Sequence, residues 1–501
     1  MRFLERLARR GDSEAVALED GEVVISYRDL LRAVDHHAVR LQRNGIKAGD
    51  RVALIADNSA AYLAVAFSVW RLQAVLVTVF PSSTVEELAY VVDNAQADLV
   101  LVDERSASRV EGSEIHAAWA ISNSEIFAPT GTAAGELVSL DHLDPDALAL
   151  ICYTSGSTAR PKAVMHSASG LSAGAEAYGS VWRLAETDKT IVCLPLAWVY
   201  GLTTASMSTL GAGGTVLVLA RMKPEQLLEA IVRRNGTFLP GVTTMFVKLT
   251  EHIQSLEEMP ELASLRLCIS GGEPRNETVF ARWREFCGVA VHDVFAASEC
   301  FPVVTYDPVA DPEPRLGSAG KVVPGATMRV VGESGSDVPA GEPGEALWRA
   351  PAQFLGYWGD DAATEAALVS GWYRTRDFVR VDEAGYVFVL GRLSDMIIRG
   401  GANVSPAEVE SVLAQIPDIR AAAVFGRADQ SYGEEVVAAI VPRTGASLDH
   451  DAIRAYCAAH LASFKVPTFI VEVGQLPLNE RTGKVDRKAV ATTAFPVGST
   501  T

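Results

Sequence analysis

The chain has 501 residues, 49 % of them apolar and 21 % charged, which is the balance of a globular protein. This composition excludes a wholly disordered, collagen-like or coiled-coil chain, and the length allows about three compact units or one large domain with a smaller one. The formal net charge is −18, so we expect no nucleic acid and no anionic membrane as a partner, and any polyanion must bind at a local site.

The cysteines contain no CxxC pair, and three of them lie in apolar runs, so they are interpreted as buried free thiols. The sequence shows no charged-then-apolar leader, and its most apolar stretch, Tyr62 to Phe80, is interrupted by Arg71 and Gln73. A helix followed by a buried strand explains that stretch better than a membrane segment. We expect a cytoplasmic protein, either a monomer or a homodimer.

Short runs rich in Val, Ile and Leu alternate with longer amphipathic stretches, which predicts an α/β fold with parallel sheets covered by helices. The predicted strands of this part are Arg51 to Ala56, Ala74 to Phe80, Leu99 to Val102, Ala147 to Cys152, Thr190 to Leu194 and Thr215 to Leu219. After about residue 300, strands punctuated by Pro and Gly predict a small antiparallel β unit. These strands are Met328 to Val331, Glu345 to Arg349 and Tyr386 to Leu390. A helix that starts at Ser405-Pro406 and ends near Ala414 then opens a compact C-terminal unit.

The segment from Tyr153 to Lys162 (YTSGSTARPK) directly follows the predicted strand that ends at Cys152. Its small hydroxyl residues and its glycine allow several N–H and O–H groups to converge on phosphate oxygens, and Lys162 adds a positive charge. It is not a Walker loop, because GxxxxGK[ST] is absent. A few small polar residues alone would more often form a solvated turn, but the lysine and four downstream segments favour phosphate binding.

The four downstream segments are Phe295 to Glu299 (FAASE), Trp372 to Asp377 (WYRTRD), Gly391 to Glu410 (GRLSDMIIRGGANVSPAEVE) and Leu478 to Arg487 (LNERTGKVDR). In this order, the five segments resemble the signature motifs of the adenylate-forming superfamily: acyl-CoA synthetases, adenylation domains of peptide synthetases, and luciferases. The pattern is most similar to that of acyl- and aryl-CoA ligases.

The resemblance implies a fold of two domains. A large N-terminal domain, residues 1–391, would contain stacked β-sheets covered by helices and a β-subdomain at about 302–391. A small mobile α+β domain, residues 392–501, would rotate about a hinge at Asp395. The implied reaction has two steps: a carboxylate attacks the α-phosphate of ATP in the presence of Mg²⁺, and a thiol, usually of coenzyme A, then displaces AMP.

The resemblance also implies the site residues. The phosphates would be held by Thr154, Ser155, Gly156, Ser157, Thr158 and Lys162. Glu299 would bind Mg²⁺, Ser298 would lie at the α-phosphate, and Lys484 would bridge the attacking carboxylate and that phosphate. Gly272, Glu273 and Pro274 would also bind the nucleotide, Phe295 and Asp293 would lie at its adenine, and Asp377 and Arg392 would bind its ribose. Gly400 and Gly401 would face the tunnel of the pantetheine acceptor.

At four positions the chain departs from the glycine that is usual in the family: Ala159, Ala163, Ala296 and Arg376. Such a replacement is harmless only where φ is negative, and otherwise costs on the order of 1 kcal/mol. Arg376, beside the aspartate predicted at the ribose, is the least expected of the four.

The substrate pocket is predicted around Trp198, Val242, Met245, Gly271 and Phe301. Many acyl- and aryl-CoA ligases have Phe-His where this chain has Ala197-Trp198, so Trp198 would fill volume and favour a short or flat acid. The alternative is that Trp198 is one more core tryptophan. Arg275 either meets a second acidic group of the substrate or lies outside the pocket.

Other functions stay open at this point. Gly170 to Gly174 (GLSAG) matches the GxSxG pattern of serine hydrolases, although the surrounding Ala-rich stretch reads as a helix interior. A non-catalytic nucleotide-binding protein has no reason to keep Lys162, Glu299, Asp377 and Lys484 together. The same scaffold in relatives loads the phosphopantetheine of a carrier protein, or activates nitrite for diazotization of an aryl amine.

Overall fold

The computed structural model describes residues 2–124, 137, 139–154, 160–273, 275–478 and 485–495. The chain divides into two compact units, which are described separately below. The first unit contains Met1–Met328 and Trp348–Arg374, and the second contains Arg329–Leu347 and Thr375–Thr501. The predicted boundary at residue 391 and the predicted hinge at Asp395 stay predictions.

The described α-helices, in chain order, are α1 (Arg2–Ala8), α2 (Tyr27–Arg43), α3 (Ala60–Arg71), α4 (Val85–Asn94), α5 (Glu104–Val110), α6 (Ala168–Val181), α7 (Ser208–Ala212), α8 (Pro224–Val232), α9 (Thr243–Gln254), α10 (Glu277–Cys287), α11 (Asp361–Ala367), α12 (Pro406–Leu413), α13 (His450–His460) and α14 (Arg487–Ala494). Short polar side chains set many of their starts. Ser59 caps α3, and Thr84 with Glu87 forms a capping box at the start of α4.

The strands of the first 305 residues are β1 (Val16–Asp20), β2 (Val23–Ser26), β3 (Arg51–Ile55), β4 (Val75–Val79), β5 (Leu99–Val102), β6 (Trp119–Ala120), β7 (Leu148–Thr154), β8 (Lys162–Ser167), β9 (Lys189–Val192), β10 (Thr215–Val218), β11 (Phe238–Gly241), β12 (Leu267–Gly271), β13 (Val291–Ala297) and β14 (Cys300–Thr305). The later strands are β15 (Gly320–Val322), β16 (Thr327–Val331), β17 (Pro343–Arg349), β18 (Ala352–Gln353), β19 (Gly356–Tyr357), β20 (Leu368–Val369), β21 (Trp372–Val381), β22 (Tyr386–Arg392), β23 (Ile397–Arg399), β24 (Ala402–Val404), β25 (Ile419–Asp429), β26 (Gly433–Pro442) and β27 (Phe469–Glu472).

One sheet of the first unit has the strand order β19-β8-β7-β4-β3-β5-β6. Its centre is parallel, because β3 pairs with β4 and β5, and β4 pairs with β7, in the same direction. Strand β4 (VLVTV) is buried along its whole length, as expected for a parallel strand covered on both faces. At the other side, β7 and β8 form an antiparallel hairpin, and β8 also pairs with β19.

A second sheet of the first unit contains the order β14-β13-β12-β11-β9-β10-β1-β2. From β13 to β1 the strands are parallel, while β14 and β2 pair antiparallel at the two sides. Helices α8, α9 and α10 cover one face, and their apolar side chains form a core with Ile191, Leu239 and Cys268 from the strands. The carboxyl ends of β11, β12 and β13 therefore lie at one edge, where open α/β sheets bind ligands.

The second unit contains the antiparallel pair β21-β22 and a separate C-terminal sheet. That sheet has the order β24-β23-β26-β25, and β27 runs parallel to β26. Its apolar face packs against α12 and α13 through residues such as Val409, Val436 and Ile453. Helix α12 starts where the sequence predicts, since the Ser405 side chain caps it and Pro406 takes the first turn.

The predicted α/β architecture is confirmed. Every strand predicted above is present, with bounds that differ by no more than two residues at either end. The stretch from Tyr62 to Phe80 is helix α3 followed by strand β4, and within the described ranges no helix is long and apolar enough to cross a membrane. All six cysteines are free, and Cys287 departs from the prediction only in being half-buried.

Candidate functional site

The predicted phosphate loop connects the two strands of a hairpin in the first unit. Strand β7 ends at Thr154 and β8 begins at Lys162, and these two residues are directly opposite each other in the antiparallel register. Ser155, Gly156, Ser157 and Thr158 lie outside the described residues, as does Ala159. The hairpin therefore brings both described ends of the loop, a hydroxyl and a cation, to one place.

Ser298 and Glu299 form the turn of a second hairpin in the same unit. Ala297 at the end of β13 pairs with Cys300 at the start of β14, so the two predicted residues lie between paired strands. His166 of β8 bonds to this turn: its Nε2 lies 2.7 Å from the carbonyl oxygen of Ser298. Phe354 donates its backbone N–H to the carbonyl of Glu299 at 2.7 Å. Bonds from two other elements thus hold the backbone of the turn.

Lys162 and Glu299 meet at a third residue, Tyr357. Its hydroxyl donates to Oε1 of Glu299 at 2.8 Å, and the ammonium of Lys162 lies 4.8 Å from the centroid of its ring. Tyr357 is 4 % exposed, so its ring and hydroxyl are almost completely screened from solvent. Two of the predicted catalytic residues are therefore brought together, although they are far apart in the sequence.

His166 is fully buried, and burial lowers its pKa to about 4. The neutral imidazole has one N–H, and Nε2 lies at hydrogen-bond distance from a carbonyl oxygen, which can only accept, so Nε2 carries the proton. No partner of Nδ1 is found among the described residues. The side chain acts here as a fixed hydrogen-bond donor.

The residues predicted at adenine lie on β13. The Phe295 ring is half-buried and packs edge-on against Trp348 with centroids 4.8 Å apart. Asp293 is buried and accepts from Arg275 at 2.5 Å, and burial raises its pKa to about 6 while the guanidinium opposes this rise. Arg275 also donates to Glu277. Of the two alternatives for Arg275, this partnership favours a structural role outside the pocket.

The segment after β12 contributes Gly272 and Glu273, while Pro274 lies outside the described residues. Glu273 accepts from the backbone N–H of Thr244 at 2.8 Å and from its hydroxyl at 3.1 Å. Helix α9 has no side-chain cap at Val242, so the Glu273 carboxylate satisfies its N-terminus from outside. The Glu273 carboxylate therefore contributes to the structure at the start of α9.

The predicted acid pocket lies at the carboxyl ends of β11 and β12. Tyr200, which sequence reasoning did not include, donates its hydroxyl to the carbonyl of Gly241 at 3.1 Å. A Cβ placed on Gly271 would lie 3.5 Å from the Tyr200 ring, so the tyrosine spans the ends of both strands. Met245 is buried beside Cys193, with the two sulfur atoms 3.9 Å apart, and Val242 is half-buried.

Tyr200 begins a π-helix, Tyr200–Met207, directly after the Ala197-Trp198 pair. The Ser206 hydroxyl donates to the carbonyl of Gly201, five residues earlier, at 2.8 Å. Trp198 is 37 % exposed and contacts Phe80 at 5.4 Å between ring centroids, so it is not a core tryptophan. Of the two interpretations, this exposure favours the one in which Trp198 fills volume at the acid pocket.

Phe301 lies in the core of the first unit. It is 1 % exposed and packs against His166, and a Cβ on Gly174 would lie 2.8 Å from its Cε2 atom. Helix α6 therefore approaches β14 at a glycine of the GxSxG match. Ser172 is buried inside α6 and donates to the carbonyl of Ala168, so it does not lie on a nucleophile elbow, and the serine-hydrolase alternative that rests on this serine is excluded.

The residues predicted at the ribose lie on β21 and β22 of the second unit. Asp377 and Arg392 are register partners, and Nε of Arg392 lies 2.7 Å from the buried carboxylate of Asp377. Between Thr375 and Asp377, Arg376 has φ of 61°, a left-handed conformation that favours glycine. Its side chain is 55 % exposed, and its Nε lies 3.9 Å from Glu345. Ala163 and Ala296 lie in strands and do not have positive φ, so these two departures fit their backbones.

The remaining predicted residues belong to the C-terminal sheet and its surroundings. Gly400 and Gly401 have φ of 58° and 80° and form the two-residue turn between β23 and β24, where a mirror-image turn demands positive φ. The carboxylate of Asp395 accepts from Ser394 and lies 3.7 Å from Arg487. Lys484 lies outside the described residues.

The donor set at Glu299 can be compared with what Mg²⁺ needs. In the described part of the chain, no group of three His, Cys, Asp or Glu side chains could hold a metal ion. Mg²⁺ in nucleotide sites is usually bound by one or two carboxylates together with substrate phosphates, not by a protein cage. Glu299 has one oxygen bonded to Tyr357 and a second carboxylate oxygen available for a metal, so the site fits an ion that arrives with a nucleotide.

Sequence reasoning missed Tyr357, His166 and Tyr200. Two of them lie just beyond a segment that carries a signal: His166 follows the phosphate loop on β8, and Tyr200 follows the Ala197-Trp198 pair. Tyr357 follows Gly356 in a short strand that no motif above includes. Strand pairing shows where His166 and Tyr357 lie, and a hydrogen bond to Gly241 shows where Tyr200 lies.

Two family profiles match the chain. The profile described as AMP-binding enzyme matches residues 3–358, and that described as AMP-binding enzyme C-terminal domain matches residues 408–484. A probable CoA ligase, CCL9 of Humulus lupulus, is 31 % identical over 98 % of this chain and 95 % of its own length. The oxalate–CoA ligase of Arabidopsis thaliana is 30 % identical over 98 % and 97 %, respectively.

Solved structures are similar over nearly the whole chain. ATP-bound MatB from Rhodopseudomonas palustris superposes with a TM-score of 0.87 and 28 % identity, covering 99 % of each chain. The amide bond synthetase McbA from Marinactinospora thermotolerans has a TM-score of 0.86 and 29 % identity, covering 98 % of this chain and 99 % of its own.

Proposed function

This chain belongs to the AMP-binding enzyme family, and on that premise we propose that it activates a small carboxylic acid, aryl or short acyl. The enzyme is an acid–thiol ligase: it uses ATP to form an acyl-adenylate and transfers the acyl group to coenzyme A. The observation that supports our assignment of the site best is the contact chain from Lys162 through Tyr357 to Glu299. It holds a cation and a carboxylate side by side, which a metal-bound triphosphate requires.

In the first step, an oxygen of the substrate carboxylate bonds to the α-phosphorus, and the bond to pyrophosphate breaks. The acid is already ionised at neutral pH, so the protein needs no general base and supplies charge stabilisation instead. We assign Lys162 to the outer phosphates, Ser298 to the α-phosphate, and Lys484 to the pair of reacting groups. Bound with ATP at Glu299, Mg²⁺ would supply further neutralisation of the phosphate charge.

In the second step, the thiol sulfur attacks the acyl carbon, AMP leaves, and the thiol proton passes to solvent. We assign the ribose of the nucleotide to Asp377, whose carboxylate is oriented by Arg392. Rotation of the C-terminal residues about Asp395 would then exchange Lys484 for Gly400 and Gly401 at the reacting atoms. This exchange is part of the proposal.

The proposal of a small acid is supported by Tyr200. Its ring lies at the ends of β11 and β12, and its hydroxyl donates to the carbonyl of Gly241, so the side chain occupies space at the end of the predicted pocket. Trp198 lies at the same stretch of chain and is exposed enough to contact a ligand. A pocket shortened by two aromatic rings favours short or flat acids over long acyl chains. Phe301 is not included, because it is buried in the core.

The test is acid-dependent exchange of labelled pyrophosphate into ATP, with separate pools of short aliphatic, long aliphatic, aromatic and amino acids, and a nitrite well. We expect exchange with short or aromatic acids and none with Lys484→Ala, which should still bind ATP. Tyr200→Ala should extend the active pool to longer acids, whereas Tyr27→Phe should not. Exchange with long acids alone in the native protein would overturn the proposal, and exchange with nitrite alone would replace it with diazotization.

An acceptor assay follows from the likeness to an amide bond synthetase. The adenylate formed with the best acid is offered to coenzyme A, to a phosphopantetheinylated carrier protein, and to an aryl amine in parallel. We expect thioester formation with coenzyme A to be fastest. A faster reaction with the carrier protein or the amine would change the physiological acceptor but not the first step.

A further inference from the structure

We propose that Tyr357 is a positioning residue that keeps Lys162 and Glu299 in place and apart, so that both charges remain available to a metal-bound triphosphate. The inference deepens the function proposed above and rests on it. It assigns a role to a residue outside the five motif segments.

The backbone around Tyr357 connects the two functional hairpins. The N–H groups of Leu355 and Trp358 donate to carbonyls of β8, at Met165 and Ala163, with distances of 2.8 Å each. One residue before Leu355, the N–H of Phe354 donates to the carbonyl of Glu299 at 2.7 Å. A run of five residues is therefore hydrogen-bonded to the strand that begins at Lys162 and to the turn that contains Glu299.

The side chain repeats this connection. The hydroxyl donates to Oε1 of Glu299, the ring faces the ammonium of Lys162, and Phe354 packs edge-on against the ring at 5.0 Å. With 4 % of its surface exposed, the ring has little freedom to turn. The contacts of Tyr357 with Glu299 and with Lys162 are thus fixed by the same packed segment.

The chemistry explains why a tyrosine suits this position. A lysine and a glutamate that touched directly would neutralise each other and would have to separate before they could bind phosphate and metal. In the described residues Lys162 forms no ion pair, and its charge is stabilised by the face of the ring. One Glu299 oxygen accepts the phenol proton, which fixes the carboxylate and leaves the other oxygen to a metal. Tyr357 therefore stabilises both charges without cancelling either.

The experiment compares the native enzyme with Tyr357→Phe and Tyr357→Leu. Binding of Mn²⁺ is titrated by electron paramagnetic resonance in the presence of α,β-methylene-ATP, which cannot be adenylated. Loss of the hydroxyl alone should weaken Mn²⁺ binding on the order of tenfold, a usual effect of removing a hydrogen bond to a metal ligand. Affinity for the metal-free nucleotide analogue should stay within about twofold in Tyr357→Phe and fall further in Tyr357→Leu, which also loses the ring over Lys162.

Tyr27→Phe is the matched control, because it removes a buried hydroxyl that donates only to carbonyls of Leu210 and Gly214. It should leave the Mn²⁺ affinity unchanged. In a Glu299→Gln background, Tyr357→Phe should have no further effect, which separates positioning from loss of structure. An unchanged Mn²⁺ affinity in Tyr357→Phe, or an equal loss in both backgrounds, would overturn the inference even if the native enzyme makes thioester. Absence of acid-dependent exchange in the native enzyme would instead overturn the proposed function.

Discussion

We call the residues assigned to the phosphates the phosphate end and the residues assigned to the ribose the ribose end, and the two groups are held in different ways. At the phosphate end, in the first unit, Lys162 and Glu299 belong to different hairpins and are held by bonds from Tyr357, His166 and Phe354. At the ribose end, in the second unit, Asp377 and Arg392 are register partners on one hairpin, and Arg392 also donates to the carbonyl of Thr375 on that hairpin at 3.0 Å. The phosphate end is thus held by bonds from several elements, whereas the bonds described here for the ribose end lie within one hairpin, beside a left-handed residue.

This difference indicates what each end must do. Groups that neutralise charge during the reaction must not reorganise, so they are placed on a framework of several strands. Groups that only bind the ribose contribute equally before and during the reaction, and a local pair on two adjacent strands is sufficient. The predictions below separate these two roles.

The largest effect is expected at the phosphate end. Glu299→Gln should lower the rate of pyrophosphate exchange by about 10²- to 10³-fold, the usual loss when one charge-stabilising group is removed from a reacting centre. Steady-state exchange with saturating ATP measures it. Glu313→Gln, which weakens an exposed ion pair with Arg284, is the control and should leave the rate unchanged. A loss that disappears at high ATP would assign Glu299 to binding alone.

Acid should destabilise the first unit selectively. Burial lowers the pKa of His37 and of His166 to about 4, so each is neutral in the folded state, and stability is lost as pH falls from 6.5 towards 4. Each contributes a loss of about 2 kcal/mol at pH 4.5. Asp293 acts in the opposite sense, because its raised pKa near 6 favours the folded state at lower pH, by a similar amount.

The net expectation is a loss of about 2 to 3 kcal/mol in the free energy of unfolding between pH 7 and pH 4.5. Urea titrations at the two pH values measure it. His37→Leu should reduce the loss, because that side chain is 2 % exposed and its ring nitrogens have no partner among the described residues. A stability that does not change with pH in this window would contradict the assignment of neutral buried histidines.

At the ribose end, Asp377→Asn should raise the KM for ATP about tenfold with a much smaller change in kcat, because uniform binding is lost. Initial rates over a range of ATP concentrations separate the two constants. Asp337→Asn, which weakens the pair of Asp337 with Arg329 in the same unit, is the control and should leave both constants unchanged. A loss in kcat as large as that of Glu299→Gln would remove the distinction between the two ends.

The smallest effect concerns the glycine replacements. Arg376→Gly should stabilise the protein by about 1 kcal/mol, because it removes the steric cost of a left-handed arginine. Ala163→Gly and Ala296→Gly should destabilise it by about 0.5 to 1 kcal/mol, since both residues have ordinary strand conformations. Thermal unfolding of the three variants tests the contrast. An Arg376→Gly variant that gains stability but raises the KM for ATP would show that the strained arginine touches the nucleotide.

Local patterns predicted the framework well. The strand from Leu99 to Val102 and the helix capped by Ser405 are determined by residues within a few positions of their ends, so a single sequence reveals them. The segment that ends at Glu299 was found through its motif, and the helical interpretation of GLSAG was right because alanine and glycine spacing is local information. The motifs also assigned Asp377 and Arg392 to one site, and in the structure these two residues are register partners.

Contacts between residues far apart in the sequence could not be predicted from it. Tyr357 and Glu299 are separated by 58 residues, and His166 and Ser298 by 132, so only strand pairing brings them together. The left-handed φ of Arg376 could not be predicted from the sequence, because arginine usually avoids that backbone conformation. The position of Glu273 at the nucleotide stays a prediction, and the bond from its carboxylate to the start of α9, a helix without a side-chain cap at Val242, was not visible in the sequence.

The π-helix from Tyr200 to Met207 has a consequence for how this enzyme could acquire a new substrate. Each turn of it contains more residues than an α-helical turn, so removal of one residue would let the segment relax to ordinary helix. The helix on either side would keep its phase, because the wider turn had taken up the extra residue. Tyr200 stands at the start of the segment, so we expect a single codon deletion to shift its ring while the surrounding framework stays in place. We therefore expect a change in chain length, as well as an exchange of pocket residues, to alter the substrate range.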